Sequence, residues 1–198
     1  MPRPGPPEEG DRGRPPTAAA ADVDLAAASG DPWWGRLAPG LARRRSERRL
    51  ESALGDGVWR RAHDRVRRSV DRYHQVLDGV AADAEPGTAD EVLAPLERTG
   101  AALVEVLDDV RALCLRAQRA APSTGLDVPR VPASAGLPDE LHRRLSRVGT
   151  AVATAAEAAT MARVSVRGGR LDVGVERAAA AQRSAVLARR HLGLPGRP

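Results

Sequence analysis

The chain has 198 residues, 42% of them hydrophobic: about one domain's worth of sequence with enough apolar character for a core, which excludes wholesale disorder. It contains no Lys, Ile, Phe or Asn, and its 31 basic residues, all Arg, stand against 26 acids for a net charge of +5. GC-rich codons favour that alphabet, and Arg fills every surface role that Lys would share, so arginine content alone does not point to nucleic acid.

The single cysteine, Cys114, excludes an intramolecular disulfide and gives no sign of an oxidising compartment. The first residues lack a charged-then-apolar leader pattern. No apolar run approaches the roughly 20 residues that span a bilayer. The longest candidate, Thr150 to Ala162, is mostly Ala and Thr and carries Glu157. A cytoplasmic location is expected, with the inner face of the membrane as a peripheral alternative.

Residues 1–30 are rich in Pro, Gly, Ala and charge without periodicity, and read as a disordered tail. Residues 31–55 form a Trp/Arg-rich lead-in, with Trp33, Trp34 and Arg36 followed by the cluster Arg43, Arg44, Arg45, Arg48 and Arg49. Paired Trp beside Arg suits a membrane interface, with rings at headgroup depth and cations on anionic lipid. It also suits stacking on single-stranded nucleic acid. The competing reading folds both Trp onto the domain as packing, and Leu37 and Leu41 fall on the opposite helical face from Leu50 and Leu54, which makes a poor amphipathic anchor.

A helical domain is expected over residues 56–192, ahead of a frayed end at 193–198. Trp59, Ala62, Val66, Ser69, Tyr73, Val76 and Val80 alternate spacings of three and four, which predicts a first helix over 56–84 ended by Glu85-Pro86-Gly87. Thr88 and Glu91 have capping-box spacing and predict the next helix start. Its stripe is Leu96, Gly100, Leu103, Leu107, Val110, Cys114 and Ala117, with Pro95 expected to kink it or to mark a first turn. A Pro/Gly/Ser-rich loop runs from Pro122 to Leu137.

Pro138, with Asp139 and Glu140 behind it, predicts the third helix start. Its stripe of Leu141, Leu145, Val148, Val152, Ala155, Ala159 and Ala162 shrinks along its length, so a neighbour can approach closely at the far end. Alternating Val around Gly168-Gly169 is compatible with a hairpin over Val164–Val173, but a helix–helix turn suits the helical context better. A fourth, Ala-rich helix is expected from Asp172 to His191, with Val175, Ala179 and Val186 inward. The expected fold is all-α, an antiparallel up-and-down bundle of about four helices. A long antiparallel coiled coil is the alternative, because the spacing is close to 3.5.

No phosphate loop, nucleophile elbow, paired-Cys pattern or His-Glu-x-x-His occurs, so no catalytic residue, metal, cofactor or small-molecule substrate is inferred. His63 and His74 lie about 16 Å apart along a helix, too far to share a metal ion. Cys114 sits in an apolar stripe and reads as packing. Glu105, Asp108 and Asp109 read as a solvated acidic face or as partners for the Arg of the first helix.

Charge falls in blocks, with net values of −3 over residues 1–35, +7 over 36–72, −8 over 73–110 and +9 over 111–198. Such blocks either pair within the fold or face partners of opposite sign. The expected function is non-enzymatic interaction with a protein partner or a second copy. The alternative is a peripheral membrane or nucleic-acid role through the Trp33/Trp34 and Arg43–Arg49 segment.

Overall fold

A computed structural model of the protein describes residues 48–50, 52–84, 87–129 and 137–193. All of them belong to one unit, residues 43–198. The expected tail, Trp33, Trp34, Arg36, Arg43, Arg44 and Arg45, and residues 194–198 lie outside the described residues.

Residues 48–50 and 52–54 are helical, and four long helices follow: α1 (Val58–Asp83), α2 (Asp90–Ala120), α3 (Leu137–Arg167) and α4 (Leu171–His191). No strand occurs among the described residues. Directions alternate along the chain. In space, α1 packs on α2 and α3, while α4 packs on α3 and α2. The ring order is therefore α1–α2–α4–α3, a bundle rather than one long coiled coil. The segment after α2 crosses one end to reach the diagonally opposite corner, which makes α1 and α3 parallel neighbours. Arg163 of α3 meets Asp83 at the end of α1, and Arg65 of α1 lies over Gly149 of α3.

The α1 stripe is close to the one the spacing predicts: Trp59, Val66, Tyr73, Val76 and Val80 are buried, joined by His63 and Val70. The start of α1 is closed from a distance. Gly57, at its N-cap, has no side chain to offer, and the Val58 N–H donates instead to Ser123 Oγ (3.1 Å). Ser123 is held in turn by its own N–H to Gln118 Oε1 (3.1 Å) and by its hydroxyl to the Asp127 carbonyl (3.3 Å). Only glycine permits this approach, because a Cβ at residue 57 would stand 2.0 Å from the Ser123 carbonyl oxygen. Next to it, Trp59 Nε1 donates to the Ala121 carbonyl (2.9 Å). The segment after α2 is thereby fastened to the start of α1.

Helix α2 starts at Asp90, with Ala89 at the cap, slightly later than the Thr88–Glu91 spacing suggests. It runs unbroken through Pro95, which sits in the second turn. Thr99 Oγ1 donates to the Pro95 carbonyl (2.8 Å), and Tyr73 Oη of α1 donates to the Leu96 carbonyl (2.9 Å). Val92, Leu96, Leu103, Val106, Val110, Cys114 and Ala117 fill the α2 face of the core.

The Gly168-Gly169 stretch is a helix–helix turn. Arg170 N–H bonds the Ser165 carbonyl (2.9 Å) and Gly169 N–H the Val166 carbonyl (3.0 Å), with Gly169 at φ +68°, a Schellman close. The inward face of α4 differs from the expected one. Val186 is exposed and Val175 and Ala179 are half-buried, while Gly174, Ala178, Ala181, Ala185 and Ala188 are buried. Against them α3 offers Ala151, Ala155, Ala159 and Ala162, and this pair packs more extensively than any other. Small side chains let helix axes come toward the short end of the usual range of about 8–10 Å. Close approach, not residue hydrophobicity, chose the face.

Candidate functional site

The four helices differ in length, and that leaves one end of the bundle incomplete. Helix α4 stops beside Arg144 of α3, whose Nε and Nη2 donate to the carbonyls of His191 (3.2 Å) and Leu192 (2.5 Å). Gly193 follows at φ +70°, with its N–H on the Arg190 carbonyl (2.9 Å). Beyond Arg144, the last turns of α2 and the first of α3 face each other with no α4 between them. Leu113, Ala117, Ala120, Ala121, Pro138 and Leu141 line the resulting cleft of about 260 Å³, with Trp59 beneath and Arg116, Glu140 and Arg144 at its edge. The lining is apolar and the rim charged, a disposition suited to an apolar side chain carried by a polar partner.

A second cavity, of about 190 Å³, lies between the parallel helices α1 and α3. Arg61, Arg65, His142 and Ser146 share its lining with Val58, Ala62, Leu126 and Leu145.

The titratable groups of the core are shifted by burial and by local hydrogen bonds. His63 is buried, with Nδ1 against Asp64 Oδ1 (3.2 Å), and desolvation lowers its pKa despite that carboxylate. Asp64 is held below the usual carboxylate range by hydrogen bonds from Arg60 and His63, which outweigh its partial desolvation. Burial pushes the Cys114 thiol up to about 12, so it carries no thiolate at neutral pH. Burial likewise raises the Tyr73 hydroxyl. His74 is half-buried with Nδ1 3.0 Å from the Val70 carbonyl, and His191 is half-buried at the end of α4. No three His, Cys, Asp or Glu side chains among the described residues are placed to share a metal ion. No helix among them is long and apolar enough to cross a membrane.

The charge blocks pair in part, though not as the sequence suggests. Asp83, at the end of α1, meets Arg163 (2.6 Å) and Arg167 (3.8 Å) of α3, and the Arg163 hydrogen bond lowers its pKa. Glu105 of α2 meets Arg189 of α4 (2.8 Å). The acidic block thus draws partners from residues after 110. In the basic block, Arg60 and Arg67 turn to Asp64 of their own helix, at 2.7 Å and 4.0 Å. Arg61 donates to the backbone carbonyls of Asp56 and Gly125. Arg65, Arg68 and Arg72 are exposed and meet no carboxylate among the described residues. The expected match between the Arg of α1 and the acids of α2 is not made: Arg60 and Arg67 are taken by Asp64 of their own helix, and Arg61, Arg65, Arg68 and Arg72 lie on the flank beside α3. Asp108 is exposed and Asp109 half-buried.

Of the lead-in residues singled out in the sequence, Arg48 and Arg49 are exposed on a helical turn. The end cleft had no signal in the sequence, since it arises from the unequal ends of α2, α3 and α4. In comparisons with known proteins, no family model, no curated protein and no solved structure matches this chain.

Proposed function

We propose that the chain is a non-enzymatic interaction protein, a helical bundle whose α2/α3 end cleft takes apolar side chains from a protein partner or from a second copy. The cleft carries this reading: it is an apolar hollow of about 260 Å³ with a charged rim, formed where α2 and α3 run past the end of α4. An aliphatic side chain buried there contributes about 2–3 kcal/mol. The neutral His63 and the protonated Cys114 thiol support a structural role for the polar core.

The test places a photo-reactive side chain at Ala120, on the exposed edge of the cleft, and at Glu157, on the exposed face of α3, as the control position. The expected result is an adduct with a second copy or a discrete protein from Ala120 but not from Glu157, lost when Leu141→Glu charges the cleft. Helicity measured alongside shows that the variant remains folded. Equal labelling from both positions, or an Ala120 adduct indifferent to Leu141→Glu, removes the cleft from the interaction.

A further inference from the structure

We propose that the flank of α1 beside α3 binds the phosphate backbone of a nucleic-acid duplex. Arg61, Arg65, Arg68 and Arg72 step by four, three and four residues, a repeat that keeps all of them within a narrow sector of the helix. They run for roughly 16 Å along the axis at 1.5 Å per residue. A duplex presents roughly five phosphates per strand over that length, at about 3.4 Å each. The two carboxylates of this stretch, Asp64 and Asp71, are a seven-residue repeat of their own on the flank toward α2, and Asp64 is already held by Arg60 and Arg67.

Arginine abundance is not the argument. Arg65, Arg68 and Arg72 meet no carboxylate among the described residues, and neither do the exposed Arg177, Arg183 and Arg190 of α4; the α1 set differs in standing in one row beside a recess, whereas those of α4 are spaced by six and seven residues. The cavity between α1 and α3 adds a recess to this ridge. Arg61, Arg65, His142 and Ser146 meet there around about 190 Å³, ample for a phosphate group. Arg61 is already tied to the backbone at Asp56 and Gly125, so it enters the recess in a fixed pose.

What surrounds the ridge selects among polyanions. No exposed large apolar side chain lies on α1, and Leu126 is the one exposed large apolar residue lining the recess, whereas an interfacial anchor pairs its cations with a row of inserted Leu or Trp. Trp59 and Tyr73, the aromatic residues among those described, are both fully buried, so the bundle offers no platform for stacking unpaired bases. A straight row of cations fits a duplex read through its backbone, without sequence preference.

Full-length protein is titrated against a labelled 24-base-pair DNA duplex of mixed sequence by fluorescence anisotropy, across a salt series. The triple variant Arg65→Gln/Arg68→Gln/Arg72→Gln is compared with Arg177→Gln/Arg183→Gln/Arg190→Gln, which removes the same charge from exposed positions of α4. Arg61 is left intact because it also holds the loop. Thermal unfolding followed by circular dichroism shows that both variants are folded.

The expected result is weaker binding by the α1 variant, about tenfold or more, with the slope of log affinity against log salt reduced by about 0.9 per Arg removed. The α4 variant should retain binding within about threefold. Three results overturn the proposal: no binding of the duplex by full-length protein at low salt, equal losses in the two variants, or an α1 variant that binds as well as the unaltered chain. Tighter binding of phosphatidylserine vesicles or of a 24-nucleotide single strand, with the same dependence on the α1 Arg, assigns the ridge to that partner instead.

Discussion

The α1–α2 and α3–α4 hairpins are both long antiparallel pairs, yet they are built on opposite plans. The first is filled by bulk: Trp59, Tyr73, Leu96 and Leu103 are fully buried, and the hydroxyl of Tyr73 and the indole N–H of Trp59 each donate to a fixed backbone carbonyl. The second is filled by proximity, with Ala151, Ala155, Ala159 and Ala162 against Ala178, Ala181, Ala185 and Ala188. Large side chains stabilise by the apolar area each removes from water. Alanines remove little area apiece and contribute through the many close contacts that a narrow helix spacing allows. One half should therefore tolerate loss of volume badly, and the other should tolerate gain of volume badly.

The largest expected effect is in the first hairpin. Trp59→Ala should cost about 3–5 kcal/mol, through the cavity it opens and the orphaned Ala121 carbonyl. Urea unfolding checks this, and a loss under 1 kcal/mol would mean that the end of the bundle closes over the gap. The matching change in the second hairpin is Ala155→Leu, which enlarges a fully buried position of the alanine seam. Here it should cost about 1–3 kcal/mol by forcing α3 and α4 apart. A neutral result in the same assay would show that the alanine seam is looser than its burial implies.

The smallest effect is electrostatic and belongs to the first hairpin alone. Burial depresses the pKa of His63 below its ordinary 6.5, so the unfolded chain holds that proton more tightly than the folded one. Stability from neutral His63 is complete above that value and is lost as pH falls through it toward the folded pKa. Asp64, lowered from 3.8, adds its own loss only at more acidic pH. The thermal midpoint should drop further between pH 7 and pH 5 in the native chain than in His63→Leu, and equal drops would remove His63 as the cause.

The two hairpins also differ in how plainly the sequence announces them. In α1 the three-and-four spacing of Trp59, Val66, Tyr73 and Val80 is carried by large residues on an otherwise charged helix, so the inward face stands out. In α4 the commonest residue is Ala, and hydrophobicity points to Val175 and Val186 although the packed face is the Ala178–Ala181–Ala185–Ala188 stripe. Small residues on all sides erase the contrast that periodicity needs. Ring order was hidden for another reason: Arg163–Asp83 and Arg189–Glu105 join residues 80 and 84 apart, and nothing local records which corner a loop crosses to. The end cleft and the α1 ridge follow from that order, and neither was legible before it. Of the lead-in segment, the most suggestive stretch of the sequence, Arg48 and Arg49 stand exposed, while Trp33, Trp34, Arg36, Arg43, Arg44 and Arg45 lie outside the described residues.

The closure of α1 by Ser123 also bears on the timetable of folding. The donor and acceptor of that bond are 65 residues apart, and the neighbouring Trp59–Ala121 bond spans 62. While the chain is being synthesised, α1 can wind, and even pair with the first turns of α2, with its own first turn still open. Its N-terminal turn is completed only after the whole of α2 has emerged and turned back, so the first of the four long helices to be made is among the last to be finished. Gly57, which alone admits the late-arriving loop, is then a latch set near the beginning of the domain and closed from its middle.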